Sequence, residues 1–202
     1  MRRRGFVQRT ASALGALAAA ALPLGIARML APSAHAEPHV RLTPPGALAD
    51  DRRFVEACIG CGLCAEVCPP RCIRFRTRDG GARVNTPYIN PTVRACTLCG
   101  KCAAACPTAA LSPVPIDEVR MGIARIDQAA CYPWIDRGIC GACVSICPLG
   151  ERAIHYEMWN QYRPVVHTGC VGCGLCVEVC PHPSLPIRIV GRDDGVGVRT
   201  AA

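Results

Sequence analysis

Residues 58–69 have the sequence CIGCGLCAEVCP, in which four cysteines are spaced C-x2-C-x2-C-x3-C and a proline follows the last one. The same spacing, with the same proline, recurs in residues 96–107 and 170–181. A fourth copy in residues 131–148 is stretched at its start, because eight residues separate its first two cysteines. The chain therefore contains four repeats of one cysteine motif, at residues 58–68, 96–106, 131–147 and 170–180.

The spacing of the repeats is typical of [4Fe–4S] clusters. A C-x2-C-x2-C loop presents three thiolates to one cluster, and the fourth cysteine points to a neighbouring cluster. Glycines such as Gly60 and Gly62 allow the backbone to approach the sulfurs closely. The four repeats predict four [4Fe–4S] clusters. Their iron ligands are predicted to be Cys58, Cys61, Cys64, Cys68, Cys96, Cys99, Cys102, Cys106, Cys131, Cys140, Cys143, Cys147, Cys170, Cys173, Cys176 and Cys180.

Structural zinc and disulfides are the alternatives for a chain with 17 cysteines in 202 residues. Zinc ribbons use two separated C-x2-C pairs, and no repeat contains the histidine of a mixed zinc finger. The sequence C-x-x-C-H is absent, which excludes attached c-type haem. The seventeenth cysteine, Cys72, aligns with Ala110 after the second repeat. We therefore predict a packed free thiol at Cys72 rather than a fifth ligand or a redox thiol.

Residues 1–36 have the pattern of a cleaved export signal. Arginines precede an uncharged, alanine-rich run over residues 11–27, and the small-residue triplet AHA ends at Ala36. The run is short and weakly apolar for a membrane anchor, which is the alternative. Residues 3–8, RRGFVQ, resemble the twin-arginine motif of proteins that are exported already folded. We therefore expect the mature protein in the periplasm, carrying clusters made in the cytoplasm.

The remaining chain divides into an N-terminal extension, residues 37–53, and a four-cluster region, residues 54–202. Short apolar runs flank the repeats at residues 73–75, 110–111, 123–126, 153–156, 165–166 and 187–190. Strand, cluster loop, short helix and strand form half of a bacterial two-cluster ferredoxin. We therefore predict an α+β fold of two ferredoxin-like modules, tandem or nested, with short strands, short helices and long loops. Residues 78–91 are rich in Pro, Gly and Arg, which predicts a surface loop.

The formal charge of +8 at first suggests a nucleic-acid or anionic membrane partner. Residues 1–36 contain five arginines and no acid, so the rest of the chain carries 18 basic and 15 acidic residues, or +3. Each cluster with its four thiolates adds about −2, which brings the mature holoprotein to about −5. We therefore expect no nucleic-acid partner.

The sequence contains no catalytic motif of the usual kinds: no nucleophile–base pair, no phosphate loop and no radical-type C-x3-C-x2-C. His155, His167 and His182 are isolated in the sequence, and we interpret them as surface residues or neighbours of the clusters rather than ligands. Trp134 and Trp159 are expected to pack around the third repeat or to contact a partner. These features predict a protein with no catalytic site of its own.

Several segments outside the repeats resemble the MauM/NapG family of periplasmic ferredoxin-type proteins. They are VRLTPPGA at residues 40–47, Phe54 before the first repeat, RMGIARID at residues 120–127 and RGIC at residues 137–140. The resemblance implies an electron-transfer subunit of a quinol dehydrogenase system. Its electrons would come from a membrane-bound polyferredoxin or quinol-oxidising subunit and pass to a periplasmic cytochrome, reductase or dehydrogenase. The compact spacing of Cys99 and Cys102 departs from the nitrate-reductase branch, which leaves the methylamine branch or a third system open.

Two other functions and two ligand pairings stay open at this point. The protein could be a maturation or assembly factor for a periplasmic dehydrogenase such as methylamine dehydrogenase, or a disulfide-stapled extracellular binding module. Resemblance to four-cluster subunits favours a nested pairing, in which repeat 1 exchanges its fourth cysteine with repeat 4, and repeat 2 with repeat 3. The sequential alternative pairs repeat 1 with 2 and repeat 3 with 4. The gaps of 27, 24 and 22 residues between repeats do not discriminate.

Overall fold

Each cysteine repeat begins with an irregular loop and continues into a single turn of helix, in a computed structural model that describes residues 40–157 and 162–191. In repeats 1, 2 and 4 the residue before the helix is a glycine in the left-handed conformation, with φ of 84° at Gly62, 71° at Gly100 and 87° at Gly174. Glycine adopts this conformation without steric cost. The proline after the fourth cysteine then prevents the helix from continuing.

The regular elements are short, as the sequence predicts. The helices are α1 Asp51–Ala57, α2 Leu63–Glu66, α3 Lys101–Ala104, α4 Ala142–Ser145 and α5 Leu175–Glu178. The strands are β1 Ile73–Phe75, β2 Pro87–Ile89, β3 Ile123–Ile126, β4 Ile154–Glu157, β5 Arg163–Val166 and β6 Ile187–Val190. Single 3-10 turns cover Ile116–Glu118 and Gly150–Arg152, and two short 3-10 turns with a kink at Gly81 cover Arg78–Arg83.

Repeats 1 and 2 share one module, residues 40–112, which we call module 1. Its hairpin pairs β1 with β2, antiparallel, with Ile73 opposite Ile89. The segment before repeat 1 completes the sheet, because Leu42 bridges to Ile89 and Ala47 bridges to Leu111. The stretch that follows repeat 2 is thus paired with the stretch that precedes repeat 1.

Repeats 3 and 4 share a second module, residues 123–190, which we call module 2. Its hairpin pairs β4 with β5, with Ile154 opposite Val166. The strand before repeat 3, β3, pairs with the strand after repeat 4, β6, with Ile123 opposite Val190. Both modules follow one plan, which confirms the predicted α+β fold and shows its two ferredoxin-like modules in tandem.

Two sequence-based assignments need correction. Residues 78–91 are not only a surface loop, because β2 lies within them and buries Pro87 and Ile89. The prolines of this segment argue against a strand in the sequence, since proline is expected only on edge strands. The run at residues 110–111 forms a single bridge at Leu111 instead of a strand.

The predicted boundary at residue 54 falls inside α1, which spans Asp51–Ala57. The described part of the N-terminal extension, residues 40–53, pairs and packs within module 1. The predicted export signal, residues 1–36, lies outside the described residues. In the part of the chain that is described, no helix has the length and apolar character needed to span a bilayer.

The hydrophobic core contains few large side chains. Its most completely buried members include Ile89, Ile189, Val171 and Val177, each at most 2% exposed. Cysteines from all four repeats join this core or pack against it. The apolar elements therefore enclose the cysteines directly, which brings the sulfurs of different repeats together.

Candidate iron–sulfur sites

Four cavities of similar size, about 280–370 Å³ of empty volume, contain the predicted ligands. Each cavity is lined by three cysteines of one repeat and the fourth cysteine of another. Site 1 is lined by Cys58, Cys61, Cys64 and Cys106, site 2 by Cys68, Cys96, Cys99 and Cys102, site 3 by Cys131, Cys140, Cys143 and Cys180, and site 4 by Cys147, Cys170, Cys173 and Cys176. Each predicted ligand thus lies at one of four sites, and each site contains four of them.

The nested pairing expected from the resemblance is wrong. Cys68 lies with the first three cysteines of repeat 2, and Cys106 lies with those of repeat 1. In the same way Cys147 lies with repeat 4 and Cys180 with repeat 3. The physical reason is the sheet plan, because each hairpin joins consecutive repeats and packs their helices against each other, α2 against α3 and α4 against α5. The fourth cysteines are therefore exchanged between consecutive repeats, within each module.

The chemistry of the donors fits [4Fe–4S] clusters. All seventeen cysteines are free thiols, and four thiolates are the ligand set of such a cluster. Backbone N–H groups already point at several ligand sulfurs: Leu98 N–H donates to Cys96 Sγ (3.3 Å), Leu111 N–H to Cys106 Sγ (3.5 Å) and Ala124 N–H to Cys170 Sγ (3.4 Å). Such hydrogen bonds stabilise the negative charge of a thiolate.

Burial dominates the electrostatics of the ligand thiols. It raises the pKa of Cys64, Cys102 and Cys173 to about 11 and that of Cys143 to about 12, with neighbouring thiols adding to the effect. Desolvation disfavours an isolated thiolate, so a metal bound at these sites would supply the compensating charge. Cys106 differs, because burial is outweighed there by hydrogen bonds from the backbone N–H groups of residues 111, 108 and 110, which lower its pKa.

The sites differ in their access to solvent. Cys61 of site 1 and Cys99 of site 2 are exposed. Cys102 of site 2 and Cys173 of site 4 are buried, at 6% and 8% exposure. Site 2 therefore has one face at the surface and another face inside the protein.

Cys72 is buried, at 2% exposure, as the sequence predicts. The sequence does not reveal what its thiol faces. Cys72 Sγ lies 3.6 Å from Cys68 Sγ and forms a second hydrogen bond with Cys96, so it borders site 2. The contact with Cys72 lowers the pKa of Cys96 to about 7. The corresponding residue at site 4 is Ala153, which is 1% exposed and has no thiol.

The histidines are not all isolated. His155 on β4 and His167 after β5 stack, with ring centroids 4.5 Å apart, and a ring nitrogen of one is hydrogen bonded to a ring nitrogen of the other. The hairpin places them together, because His155 pairs with Val165 in the register. His182 packs against the Tyr132 ring and accepts a hydrogen bond from Ser184 N–H. None of the three lines a site.

The residues inserted between Cys131 and Cys140 contact the β4–β5 hairpin of module 2. Trp134 Nε1 donates to the Pro164 carbonyl at 3.2 Å. The Arg163 guanidinium lies 5.3 Å from the centre of the Trp134 ring and donates to Asp136 Oδ1 at 2.7 Å. Trp134 therefore packs around the third repeat as predicted, whereas Trp159 lies outside the described residues.

Comparison with known proteins identifies iron–sulfur domains in this chain. A family model described as a 4Fe-4S dicluster domain matches residues 57–110 and 95–151, and a second model with the same description matches residues 124–181. The ferredoxin-type protein NapG of Escherichia coli K12 is 34% identical over 203 residues, covering 93% of this chain and 85% of that protein. The methylamine utilization ferredoxin-type protein MauM of Methylobacillus flagellatus is 34% identical, covering 79% and 72% respectively. NapG of Haemophilus influenzae is 31% identical, covering 97% and 74%.

Proposed function

The chain belongs to the family of ferredoxin-type proteins that includes NapG and MauM, and on this premise we propose that it holds four [4Fe–4S] clusters and relays electrons through them. The family and its dicluster domains make it an iron–sulfur electron-transfer protein. The count of four is supported by one observation above all. Four separate cavities each collect four of the predicted ligand cysteines, three from one repeat and one from its neighbour.

The residues around each site would hold the cluster and adjust its potential. When bound, each cluster exchanges one electron. The thiolates anchor it, and the N–H groups of Leu98, Leu111 and Ala124 stabilise the extra negative charge of the reduced state by donating to ligand sulfurs. Burial of ligands such as Cys173 limits water around the sulfurs and favours the less charged state.

The relay is proposed to operate in the periplasm, between a membrane-bound polyferredoxin or quinol-oxidising subunit and a periplasmic cytochrome, reductase or dehydrogenase. The export pattern of residues 1–36 supports the location, and the family resemblance supports the partners. The equal identity to a NapG and a MauM relative favours neither the nitrate nor the methylamine branch. The location has a direct test. In the full chain, Arg3→Lys with Arg4→Lys should prevent export, and unchanged periplasmic accumulation would contradict the twin-arginine route.

An iron and acid-labile sulfide count on protein purified without oxygen tests the cofactor content. We expect about 16 iron and about 16 sulfide per chain, four of each per cluster. A disulfide-stapled binding module would contain none. A count near eight would show that only one module is loaded, and would contradict the proposed number.

Electron exchange separates a relay from an assembly factor. The reduced holoprotein should be reoxidised rapidly and reversibly by a soluble periplasmic c-type cytochrome, with loss of the reduced-cluster EPR signal. Clusters that remain reduced in the presence of such a cytochrome, or that no quinol-oxidising membrane fraction reduces, would favour the maturation role instead.

A further inference from the structure

The two modules meet at ligand residues of site 2 and site 4. The backbone N–H of Cys96, a ligand at site 2, donates to the carbonyl of Cys173, a ligand at site 4, at 3.1 Å. This hydrogen bond is not part of any of the three two-stranded sheets, and it joins the cluster loop of repeat 2 directly to that of repeat 4. The backbones of the two cysteine loops are therefore in direct contact.

Glu178 reinforces this contact from the helix of repeat 4. Its Oε2 accepts a hydrogen bond from the N–H of Ala95, the residue before Cys96, at 2.6 Å. Its Oε1 lies 3.8 Å from the Arg94 guanidinium. One carboxylate thus binds two consecutive residues that lead into the loop of site 2.

The glycines of repeat 4 show how closely the modules approach. A Cβ at Gly174 would collide with the Cβ of Pro91, a residue of module 1. A Cβ at Gly172 would lie 2.6 Å from the backbone nitrogen of Gly122, in the segment that joins the modules. The loop of repeat 4 is packed against its surroundings without space for a side chain at these positions.

Within each module the two sites are also neighbours. Helices α2 and α3 pack together in module 1, and α4 and α5 in module 2. Sites 1 and 2 are thus adjacent, and so are sites 3 and 4.

We propose that electrons pass between the modules from site 2 to site 4, or in the opposite direction. The clusters then form a line in the order 1, 2, 4, 3, and Glu178 stabilises the contact between sites 2 and 4. This inference rests on the proposed function, since it requires a cluster at each site. One electron leaves site 2, which is oxidised, and enters site 4, which is reduced; no bond is made or broken and no proton moves. The spatial order thereby differs from the order of the repeats along the chain.

Paired paramagnetic probes test this order. In the oxidised holoprotein [4Fe–4S] clusters are diamagnetic, and replacing the second cysteine of a site by Asp favours a three-iron cluster, which is paramagnetic when oxidised. Cys99→Asp with Cys173→Asp marks sites 2 and 4, and Cys99→Asp with Cys140→Asp marks sites 2 and 3. Pulsed EPR should give a shorter distance for the first pair. An equal or shorter distance between sites 2 and 3 would overturn the order.

A second measurement does not depend on three-iron clusters. The variants are made in the otherwise unchanged chain and measured with all clusters in the reduced state. Glu178→Ala should decrease the spin–spin broadening of the EPR spectrum. Glu178→Gln keeps an oxygen acceptor and should retain the broadening. Glu66→Ala is the matched control, because Glu66 occupies the same position in repeat 1. Equal spectra for Glu178→Ala and Glu66→Ala would overturn the role of Glu178. Absence of iron from the unchanged chain would instead refute the proposed function itself.

Discussion

Repeats 1 and 4 have almost the same sequence and very different surroundings. CIGCGLCAEVCP and CVGCGLCVEVCP differ at two of twelve positions. In repeat 1, Ile59 is 68% exposed and Cys61 is exposed, whereas in repeat 4 Val171 is 1% exposed and Cys173 is 8% exposed. The motif therefore determines the local loop, the helix turn and the ligand positions. The position of a repeat relative to the two modules determines how much solvent reaches its cysteines.

The largest expected effect tests which fourth cysteine completes the site formed by the first three cysteines of repeat 1. Cys106→Ala should lower the iron content from about 16 to about 12 per chain, because site 1 loses a ligand and its cluster. Cys61→Ala should do the same. The double variant should still retain about 12, because both cysteines serve one cluster and their effects do not add.

The control for this prediction is Cys61→Ala combined with Cys180→Ala. These two cysteines lie at different sites, so about 8 iron should remain. Nested exchange predicts the reverse pattern, with about 12 iron for the second double variant and about 8 for the first.

Alanine at the glycine before the helix should distinguish the two repeats by stability. Gly62→Ala should cost about 1–2 kcal/mol, because φ is 84° and no atom lies within 4 Å of the added Cβ. Gly174→Ala has a similar φ but adds a collision with Pro91, which should cost about 1–3 kcal/mol more. The measurement is the rate of cluster loss on anaerobic heating, followed by visible absorbance. Equal rates for the two variants would show that repeat 4 is not closely packed against module 1.

Exchanging the apolar residue of the two loops should have a smaller effect. Val171→Ile adds a methylene at a buried position and should destabilise by about 1–3 kcal/mol. Ile59→Val acts on an exposed side chain and should change stability by about 0.5 kcal/mol or less. Thermal melting of both holoproteins measures the difference. A larger loss in Ile59→Val would mean that a partner or a second copy covers repeat 1.

The smallest expected effect concerns the thiol that distinguishes site 2 from site 4. When Cys68 and Cys96 are bound as thiolates they can only accept hydrogen bonds. The thiol of Cys72 is then the donor in its hydrogen bond to each of them. One such bond contributes about 1 kcal/mol, or about 40 mV for one electron. Cys72→Ala should therefore lower the potential of site 2 by about that amount.

Ala153→Cys is the reciprocal variant, since Ala153 borders site 4 as Cys72 borders site 2. It should raise the potential of site 4 by a similar amount. Redox titration followed by EPR measures both shifts. A shift of the same sign in both variants would indicate a packing effect and not hydrogen bonding.

The sequence predicts which cysteines line the sites and where most strands lie, because these depend on local spacing. A C-x2-C-x2-C loop must converge on one cluster wherever it lies, and runs such as residues 187–190 are apolar enough to form strands in either pairing. Strand β2 could not be predicted in the same way. Pro87 begins it, and its burial comes from the neighbouring strand and from Leu42, not from its own pattern.

Pairing and contact between modules could not be predicted, because no local signal carries them. Gaps of 22–27 residues are long enough for either exchange. The stacked His155 and His167 are twelve residues apart and meet only through the register of the β4–β5 hairpin. The small size of Cys72 predicts its place in the core, but its orientation towards site 2 depends on where Cys96 lies, and Cys96 belongs to another repeat.

The exchange of fourth cysteines has a consequence for how the protein is made. A chain synthesised only as far as residue 105 has three of the four thiols of site 1, because Cys106 has not yet emerged, and it lacks Leu111, with which Ala47 must pair. Long-range pairing of this kind forms late in folding. A single repeat therefore supplies only three of the four cysteines of a site, and a complete site requires two consecutive repeats.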